Sequence, residues 1–299
     1  MESITVTTAS RPKKDHKKAL QRFLRTMFKR RVVIIGAIGT LFFVLVAIFA
    51  PLICNVANVD PYEICGASLQ DPSAEHILGT DYIGRDSFAR IVYGARVSLT
   101  TGVIATLIGA AIGTLLGMCA AYFGGIVDKI LIAYCETFNS IPFVALCLTL
   151  VALIGSSMFN MAVIMAIMVV PGFLRMMRAS SLTIMGTDYI LAARLSGQAK
   201  FLQLLIHVLP NAISPIIVMC TQMVGTTIMM ESGLSFLGVG ISVPTASWGS
   251  IINEARPYLI MKPVYVLAPC ACLAVLIISL NLLGDGIRDA LDPTLRGES

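Results

Sequence analysis

Residues 186–211 read GTDYILAARLSGQAKFLQLLIHVLPN and separate two long apolar runs of the chain. Thr187 or Asp188 can cap the start of a helix, and the residues at 191–195 are good helix formers. Gly197 stands where a helix commonly ends in a residue of positive φ. The first half of the segment therefore predicts a short helix that ends in a tight turn.

The second half of the segment predicts another helix, which runs to Val208 and ends before Pro210. Apolar side chains recur at helical spacing along it, at Phe201, Leu204, Leu205 and Val208. An amphipathic helix lying at a membrane interface would show the same stripe. The whole segment thus predicts a helix–turn–helix between two hydrophobic stretches.

The composition indicates a membrane protein. Of the 299 residues, 57% are apolar and 13% are charged, whereas soluble domains carry about 25% charged residues. Because a helical span needs about 20 apolar residues, the chain predicts an all-α polytopic membrane protein with six transmembrane helices. The predicted spans are residues 32–54, 98–123, 130–154, 158–178, 211–237 and 264–284.

The distribution of Lys and Arg predicts the orientation of these spans. Residues 1–31 form a basic leader with ten of the 22 Lys and Arg residues, and they adjoin an apolar run, which favours a cytoplasmic leader over a nucleic-acid arm. With this leader inside, 17 of the 22 fall on the cytoplasmic side. The segment 55–97 is then extracytoplasmic, and the segments 186–211 and 285–299 are cytoplasmic.

Sequence patterns of catalysis are missing. No Lys precedes Ser or Thr, so the phosphate-binding G-x-x-x-x-G-K-[ST] loop is excluded, and no H-E-x-x-H or G-x-S-x-G motif occurs. His16 lies in the leader, His76 in the predicted extracytoplasmic segment and His207 in the predicted cytoplasmic segment 186–211. The three histidines therefore cannot form one metal site. We therefore predict no catalytic residue and no bound metal, and a membrane-bound hydrolase is disfavoured.

Two carboxylates, Glu136 and Glu231, lie within predicted spans, where ionisable groups usually face a bundle interior or a water-filled path. With Ser235, which follows Glu231, they are candidate residues of a substrate pathway or gate. The alternative for each carboxylate is a hydrogen-bonded group that fixes helix packing. A proton-coupled carrier would normally show more such groups.

Small residues and prolines predict how the spans pack. Gly109, Gly113 and Gly117 lie four residues apart on one helix face, so another helix backbone can approach closely. We expect local kinks at Pro142 and Pro171.

The outer segments contain one further candidate residue and two cysteines of interest. Trp248 lies in the predicted outer loop 238–263, where we expect it to anchor the chain at the membrane interface. Contact with an extracytoplasmic partner or with the mouth of the pathway is the alternative, which makes it a candidate gate residue. Cys54 and Cys65 could form a disulfide, although two free thiols are favoured.

Details of the first segment resemble a known family. The segment resembles the EAA loop by which ABC importer permeases dock into their ATPase. The resemblance lies in Ala192-Ala193, in Gly197 after three further residues, and in Leu209-Pro210 after eleven more. Leu191 replaces the usual Glu of that loop. His207 replaces the usual Ile, and both departures resemble the peptide/nickel branch of the family.

Four other blocks resemble the C-type subunit of the dipeptide/oligopeptide/nickel permeases. Asp86 and the arginines of the first block have physical roles of their own: the carboxylate can cap a helix, and the arginines can reach headgroups or pair with acids. The blocks are Leu78–Ser98, with Gly79, Thr80, Asp81, Gly84 and Arg85; Ser140-Ile141-Pro142; Glu231–Gly249, with Ser235, Gly238 and Trp248; and Gly284–Pro293.

The resemblance implies a type I ABC importer permease fold, with a five-helix core at 98–284, and a position in a bacterial cell membrane with both termini cytoplasmic. The docking loop would use Ala192, Ala193, Gly197, His207, Leu209 and Pro210. The implied partners are a second permease subunit, two ATPase subunits that bind ATP and Mg, an extracytoplasmic peptide-binding protein and the lipid bilayer, with no cofactor in this chain and no nucleic acid.

The implied function is to form half of a pathway for di- or oligopeptides. Nickel or glutathione import by the same family is an alternative, and a stand-alone secondary carrier or channel is a competing one. We expect Glu231 to face the second permease subunit.

Overall fold

The computed structural model describes residues 27–28 and 30–291, apart from the side chain of Arg194. Most of the predicted leader at 1–31 and the end of the predicted tail beyond 291 therefore lie outside the described residues. The described part consists of helices and their connections, with two isolated β-bridges. The helices are α1 (Arg31–Val56), α2 (Ser87–Phe123), α3 (Gly125–Ser140), α4 (Phe143–Ile154), α5 (Met158–Met185), α6 (Asp188–Leu195), α7 (Lys200–Gln203), a π-helical turn (Leu204–Val208), α8 (Leu209–Phe236), α9 (Trp248–Ala255), a 3₁₀ turn (Arg256–Tyr258) and α10 (Pro263–Leu291).

Five of the six predicted spans fall on described helices that are long and apolar enough to cross a membrane. The third predicted span falls on α3 and α4, a bent pair with the geometry of a broken span or a re-entrant loop. The prediction of one continuous span at 130–154 is wrong, because the pair bends by 97° at Ile141–Pro142. Pro142 has no N–H to donate to the preceding turn, so the helix breaks there. The helices of the second and fifth spans begin before the predicted starts, at Ser87 and Lys200.

The glycine stripe of α2 packs closely against α5, as predicted. A Cβ atom on Gly113 would lie 2.5 Å from the Cβ of Phe173, and one on Gly117 would lie 2.6 Å from the carbonyl oxygen of Leu174. Neither position can hold a larger residue without moving backbone. The small residues therefore bring two helices of the same chain together, at the spacing that favours close approach in lipid.

The bundle has two polar ends. Arg30 and Asp289 form an ion pair of 3.0 Å at one end, which also carries α6 and α7. The two described ends of the chain thus lie on the same side, as six crossings require. The opposite end carries residues 57–86 and 237–262, which we call the cap.

Charged groups buried within the cap join it to α2. Arg85 Nε lies 2.6 Å from Asp81 Oδ2, and Arg90 Nη2 lies 2.8 Å from Glu254 Oε2. Asp86 caps α2, because its side chain accepts a hydrogen bond of 2.8 Å from the amide of Ala89. The predicted pairing of arginines with acids and the predicted cap by Asp86 are therefore found. Arg85 and Arg90 are buried and do not reach headgroups, whereas Arg96 is exposed.

The cysteines of the first outer segment are both free thiols. Cys54 is buried at the end of α1, whereas Cys65 is exposed in the cap. Burial raises the pKa of the Cys65 thiol, and the neighbouring Asp86 carboxylate adds to the effect. The favoured prediction of two free thiols therefore agrees with the structure, and the alternative disulfide between Cys54 and Cys65 is not formed.

Candidate functional site

The predicted helix–turn–helix is present between α5 and α8. Gly197 has a φ of +77°, and a Cβ atom there would meet nothing within 4 Å. The amide of Gln198 donates to the carbonyl of Ala193 at 3.2 Å, which closes the end of α6. The prediction that Gly197 ends the first helix in a left-handed conformation is confirmed. We call residues 186–208 the coupling loop.

The coupling loop is held to the bundle by apolar side chains on one face. Ile190 of α6 is fully buried in a cluster with Phe173 and Met177 of α5, and with Leu204 and Val208 of the π-helical turn. Burying aliphatic side chains of this size stabilises a contact by about 1.5–3 kcal/mol each. Half of the predicted apolar stripe thus faces the bundle.

The other face of the coupling loop is apolar and exposed. Leu195 is 83% exposed, and Leu191 and Phe201 are more than half exposed. Ala192 is also exposed and Ala193 is partly buried, so their short side chains let another protein approach the backbone closely. Several exposed apolar side chains on one short helix–turn–helix at a polar end of the bundle are typical of a protein–protein contact.

The prediction that the second helix ends before Pro210 is wrong. Residues 200–236 form one continuous helix of 37 residues, in which a π-helical turn precedes Leu209 and Pro210. Pro210 has no N–H to donate to the preceding turn. Separately, the side-chain N–H of Asn211 donates to the carbonyl of His207 at 2.7 Å. The coupling loop is therefore continuous with a membrane-spanning helix.

The carboxylate of Glu231 lies inside its own chain near the other end of that helix. It is completely buried, and the hydroxyl of Ser235 donates to it at 2.6 Å. The Ser235 hydroxyl also accepts from the amide of Ile241 at 3.2 Å. The expectation that Glu231 faces a second subunit does not fit this structure, because the carboxylate has no exposed surface and the hydroxyls of Ser232 and Ser235 donate to it. The packing interpretation fits these contacts.

The predicted interfacial position of Trp248 is also wrong. The side chain is fully buried at the start of α9, edge-on to the ring of Phe43 at a centroid distance of 5.5 Å. Its backbone amide donates to the hydroxyl of Ser98 at 3.3 Å. The indole therefore lies in the core between α1, α2 and α9, away from both lipid and any partner.

The structure separates Glu136 from the other pathway candidates. It lies on an exposed face of α3 that also carries Lys129, Ala133 and Ser140 at helical spacing. Among the described contacts, α3 packs mainly on α2 and α5. The same helix also exposes Ile126 and Ile130, so its surface carries both polar and apolar side chains.

One cluster of the cap escaped the sequence analysis. Glu254 of α9 accepts from Arg85 at 3.1 Å and from Arg90 at 2.8 Å. Burial raises the pKa of the Glu254 carboxyl, and the two guanidinium groups act in the opposite direction. The arginines were noted as partners for acids, but nothing local in the sequence points to an acid more than 160 residues away.

The described residues contain no group of three or more His, Cys, Asp or Glu side chains that could hold a metal ion. One thiol lies beside an imidazole in the cap: Cys65 Sγ is 3.9 Å from His76 Nδ1, which is 2.9 Å from Asp86 Oδ2. The exposed apolar side chains of the coupling loop remain the surface best suited to bind a partner protein.

Comparisons with known proteins agree on one family. The family description "Binding-protein-dependent transport system inner membrane component" matches residues 113–297, and "N-terminal TM domain of oligopeptide transport permease C" matches residues 18–72.

Relatives of similar length are permease proteins. The glutathione transport system permease protein GsiD of Pectobacterium atrosepticum is 34% identical over 278 residues, which is 92% of this chain and 91% of the relative. GsiD of Escherichia coli O6:K15:H31 is 37% identical over 277 residues, which is 92% of this chain and 90% of the relative. The dipeptide transport system permease protein DppC of Alkalihalophilus pseudofirmus is 37% identical over 270 residues, which is 90% of this chain and 88% of the relative.

A solved structure has a similar fold. A chain of the MetNI methionine ABC transporter in an inward-facing conformation gives a TM-score of 0.55 at 20% identity, and the match covers 68% of this chain and 96% of that one. At this identity the likeness concerns the fold alone.

Proposed function

We propose that this chain forms half of the translocation pathway of an ATP-driven importer of short peptides. The chain belongs to the family of binding-protein-dependent transport system inner membrane components, and the proposal starts from that membership. The observation that carries the proposal is the coupling loop, which presents an apolar face at one end of the bundle and continues directly into a spanning helix. The relatives whose names specify glutathione and dipeptides support a short peptide as the substrate.

Coupling to ATP would begin at the exposed face of the loop. Leu191, Leu195 and Phe201 offer apolar contacts to a cleft in an ATPase subunit, and the exposed Ala192 lets that cleft approach the backbone. The buried Ile190 fastens the loop to the bundle, so a displacement of the loop moves the helices beneath it. In this proposal the ATPases are separate subunits that hold ATP and Mg, and this chain carries out no chemistry.

The displacement would reach the opposite end of the bundle through the helix at residues 200–236. A helix of 37 residues spans about 55 Å, and its far end carries Glu231 and Ser235. The Ser235 hydroxyl accepts a hydrogen bond from the amide of Ile241 and ties the helix to the cap. The two ends of the bundle are thus joined by one continuous helix, which supports alternating access driven from the loop.

The substrate would pass along the polar face of α3. A peptide presents an ammonium group, a carboxylate and amides, so its route needs water and polar side chains. Glu136 and Ser140 supply them on a face that this chain leaves exposed. We propose that a second, related permease subunit closes the path over this face, and that an extracytoplasmic binding protein delivers the peptide to the cap side.

Reconstitution tests the proposal. The chain, its partner permease, the ATPases and the binding protein are placed in proteoliposomes, and uptake of a labelled dipeptide is measured with ATP and with an ATPase variant that cannot hydrolyse it. We expect uptake only with hydrolysis. Uptake driven by an ion gradient without ATP would overturn the proposal in favour of a secondary carrier.

Glutathione is the second substrate candidate, favoured by the GsiD relatives. Competition between unlabelled glutathione and the labelled dipeptide in the same vesicles separates the two. Inhibition of dipeptide uptake at similar concentrations of each would indicate a shared pathway. Uptake of labelled glutathione by vesicles that take up no labelled dipeptide would correct the substrate.

A further inference from the structure

A pair of side chains braces the turn of the coupling loop. The ring Nε2 of His207 lies 3.1 Å from Oε1 of Gln198, the residue that follows the turn glycine. The side-chain amide of Gln203 donates to the backbone carbonyl of Gln198 at 2.7 Å. Gln198 is thus held through both its side chain and its backbone by residues of the following helix.

His207 also contacts elements on both sides of the turn. Its ring lies edge-on to Tyr189 of α6 at a centroid distance of 6.3 Å, and its carbonyl accepts the side-chain N–H of Asn211 of α8 at 2.7 Å. It stands in the π-helical turn, a feature that is frequent at functional sites. One residue therefore touches α6, the turn and the spanning helix.

The turn needs such a brace if it is to transmit motion. Gly197 has an unusual backbone conformation with open space around it, and α6 has only eight residues. Ile190 fixes the start of α6, but the end of α6 near Leu195 is highly exposed. Without a second attachment, α6 would pivot at Gly197 and absorb a displacement that should reach α8.

We infer that His207 is a positioning residue that, through Gln198, fixes the angle between α6 and the helix at 200–236 and so sets how much transport each ATP hydrolysis produces. The inference rests on the proposed function, because it needs an ATPase that moves the loop. It also gives a physical reason for a histidine at this position of the loop, where its ring nitrogen reaches a side chain nine residues away.

The test measures transport per ATP hydrolysed in the reconstituted complex. His207→Ala and Gln198→Ala each remove the brace, and we expect each to lower this ratio about fivefold, the factor that corresponds to losing one side-chain hydrogen bond. The double variant should be no worse than either single one, since both act on the same contact. His207→Gln keeps an N–H donor and should recover most of the ratio.

Thr183→Ala is the matched control, because its hydroxyl bonds only within α5 on the same side of the bundle, and it should leave the ratio unchanged. Additive effects of the two single variants, or no effect of His207→Ala while the wild-type complex couples transport to ATP, would overturn the inference. Loss of the ATPases from the complex in His207→Ala that His207→Gln does not restore would also overturn it, in favour of a direct docking contact. A wild-type complex without ATP-dependent uptake would instead contradict the proposed function.

Discussion

The indole Nε1 of Trp248 donates a hydrogen bond of 2.9 Å to the backbone carbonyl of Ile91. This bond joins α9 of the cap to α2 across 157 residues of sequence. The ring fits against α2 because Gly94 leaves room for it: a Cβ atom at that position would lie 2.7 Å from Trp248 Cδ1. The cap is therefore fixed on the bundle by a side chain that the sequence alone places at the membrane surface.

The burial of Trp248 predicts its fluorescence. It is the only tryptophan of the chain and is fully buried beside Phe43, so we expect blue-shifted emission that an aqueous quencher such as iodide scarcely reduces. Steady-state quenching of the purified chain measures this directly. Red-shifted emission with efficient quenching would show that the indole reaches the interface.

The close approach of α2 and α5 predicts that Gly113 tolerates no Cβ. Gly113→Ala places a methyl group 2.5 Å from Phe173 Cβ and 2.8 Å from the carbonyl of Val170, which should cost about 1–3 kcal/mol through overpacking. A lower midpoint of thermal unfolding in detergent is expected. Gly233→Ala is the control, because a Cβ there meets nothing within 4 Å; equal midpoints for the two variants would show that the helices are not packed in this way.

The buried Glu254 predicts a pH dependence of stability. Its pKa lies above the ordinary 4.5 in the folded chain, so above pH 4.5 the folded state binds more protons than the unfolded one. The contribution of this group to the free energy of unfolding therefore falls as the pH rises. Glu254→Gln removes this dependence, and its neighbours Arg85 and Arg90 remain in both proteins.

Thermal unfolding of both proteins from about pH 4.5 to about pH 7 checks the sign. The midpoint of the wild type minus that of Glu254→Gln should become more negative as the pH increases. A difference that stays constant or becomes more positive would mean that the arginines outweigh the cost of burial.

The backbone of Gly197 predicts a loss of coupling on substitution. Gly197→Ala forces a φ of +77° on a residue with a Cβ, at a cost of about 1–2 kcal/mol, while no neighbouring atom is disturbed. We expect reduced ATP-dependent uptake with normal insertion into the membrane. Gly186→Ala is the control, because Gly186 has a φ of −83° and a Cβ there makes only ordinary contacts; if both variants transport alike, the conformation of the turn does not matter for coupling.

The parts of the molecule that depend on local sequence could be predicted. The turn at Gly197, the cap at Asp86 and the glycine stripe of α2 follow from residues within one or two helical turns, and all three are found. The six spans follow from apolar length alone. The bend at Pro142 was expected only as a kink, because composition does not show how far a broken helix turns.

The parts that depend on distant contacts could not be predicted. The environments of Glu231 and Trp248 come from the cap folding back over the helix ends, and the partner of Arg90 lies 164 residues away. The hydroxyls that contact Glu231 come from Ser232 and Ser235 of its own helix, but its burial also depends on the cap, which packs against that helix. For this reason Glu231 proved to be enclosed, while Glu136, with a similar local pattern, is exposed.

The account is tested most directly by asking what the coupling loop touches in the assembled complex. A photo-crosslinking amino acid is introduced at Leu195, which is 83% exposed on the loop, and separately at Ile260, which is 97% exposed on the cap. The account predicts that the probe at Leu195 crosslinks to an ATPase subunit and that the probe at Ile260 does not. Absence of an ATPase crosslink at Leu195 in a complex that contains the ATPases, or an equal yield at Ile260, would contradict it.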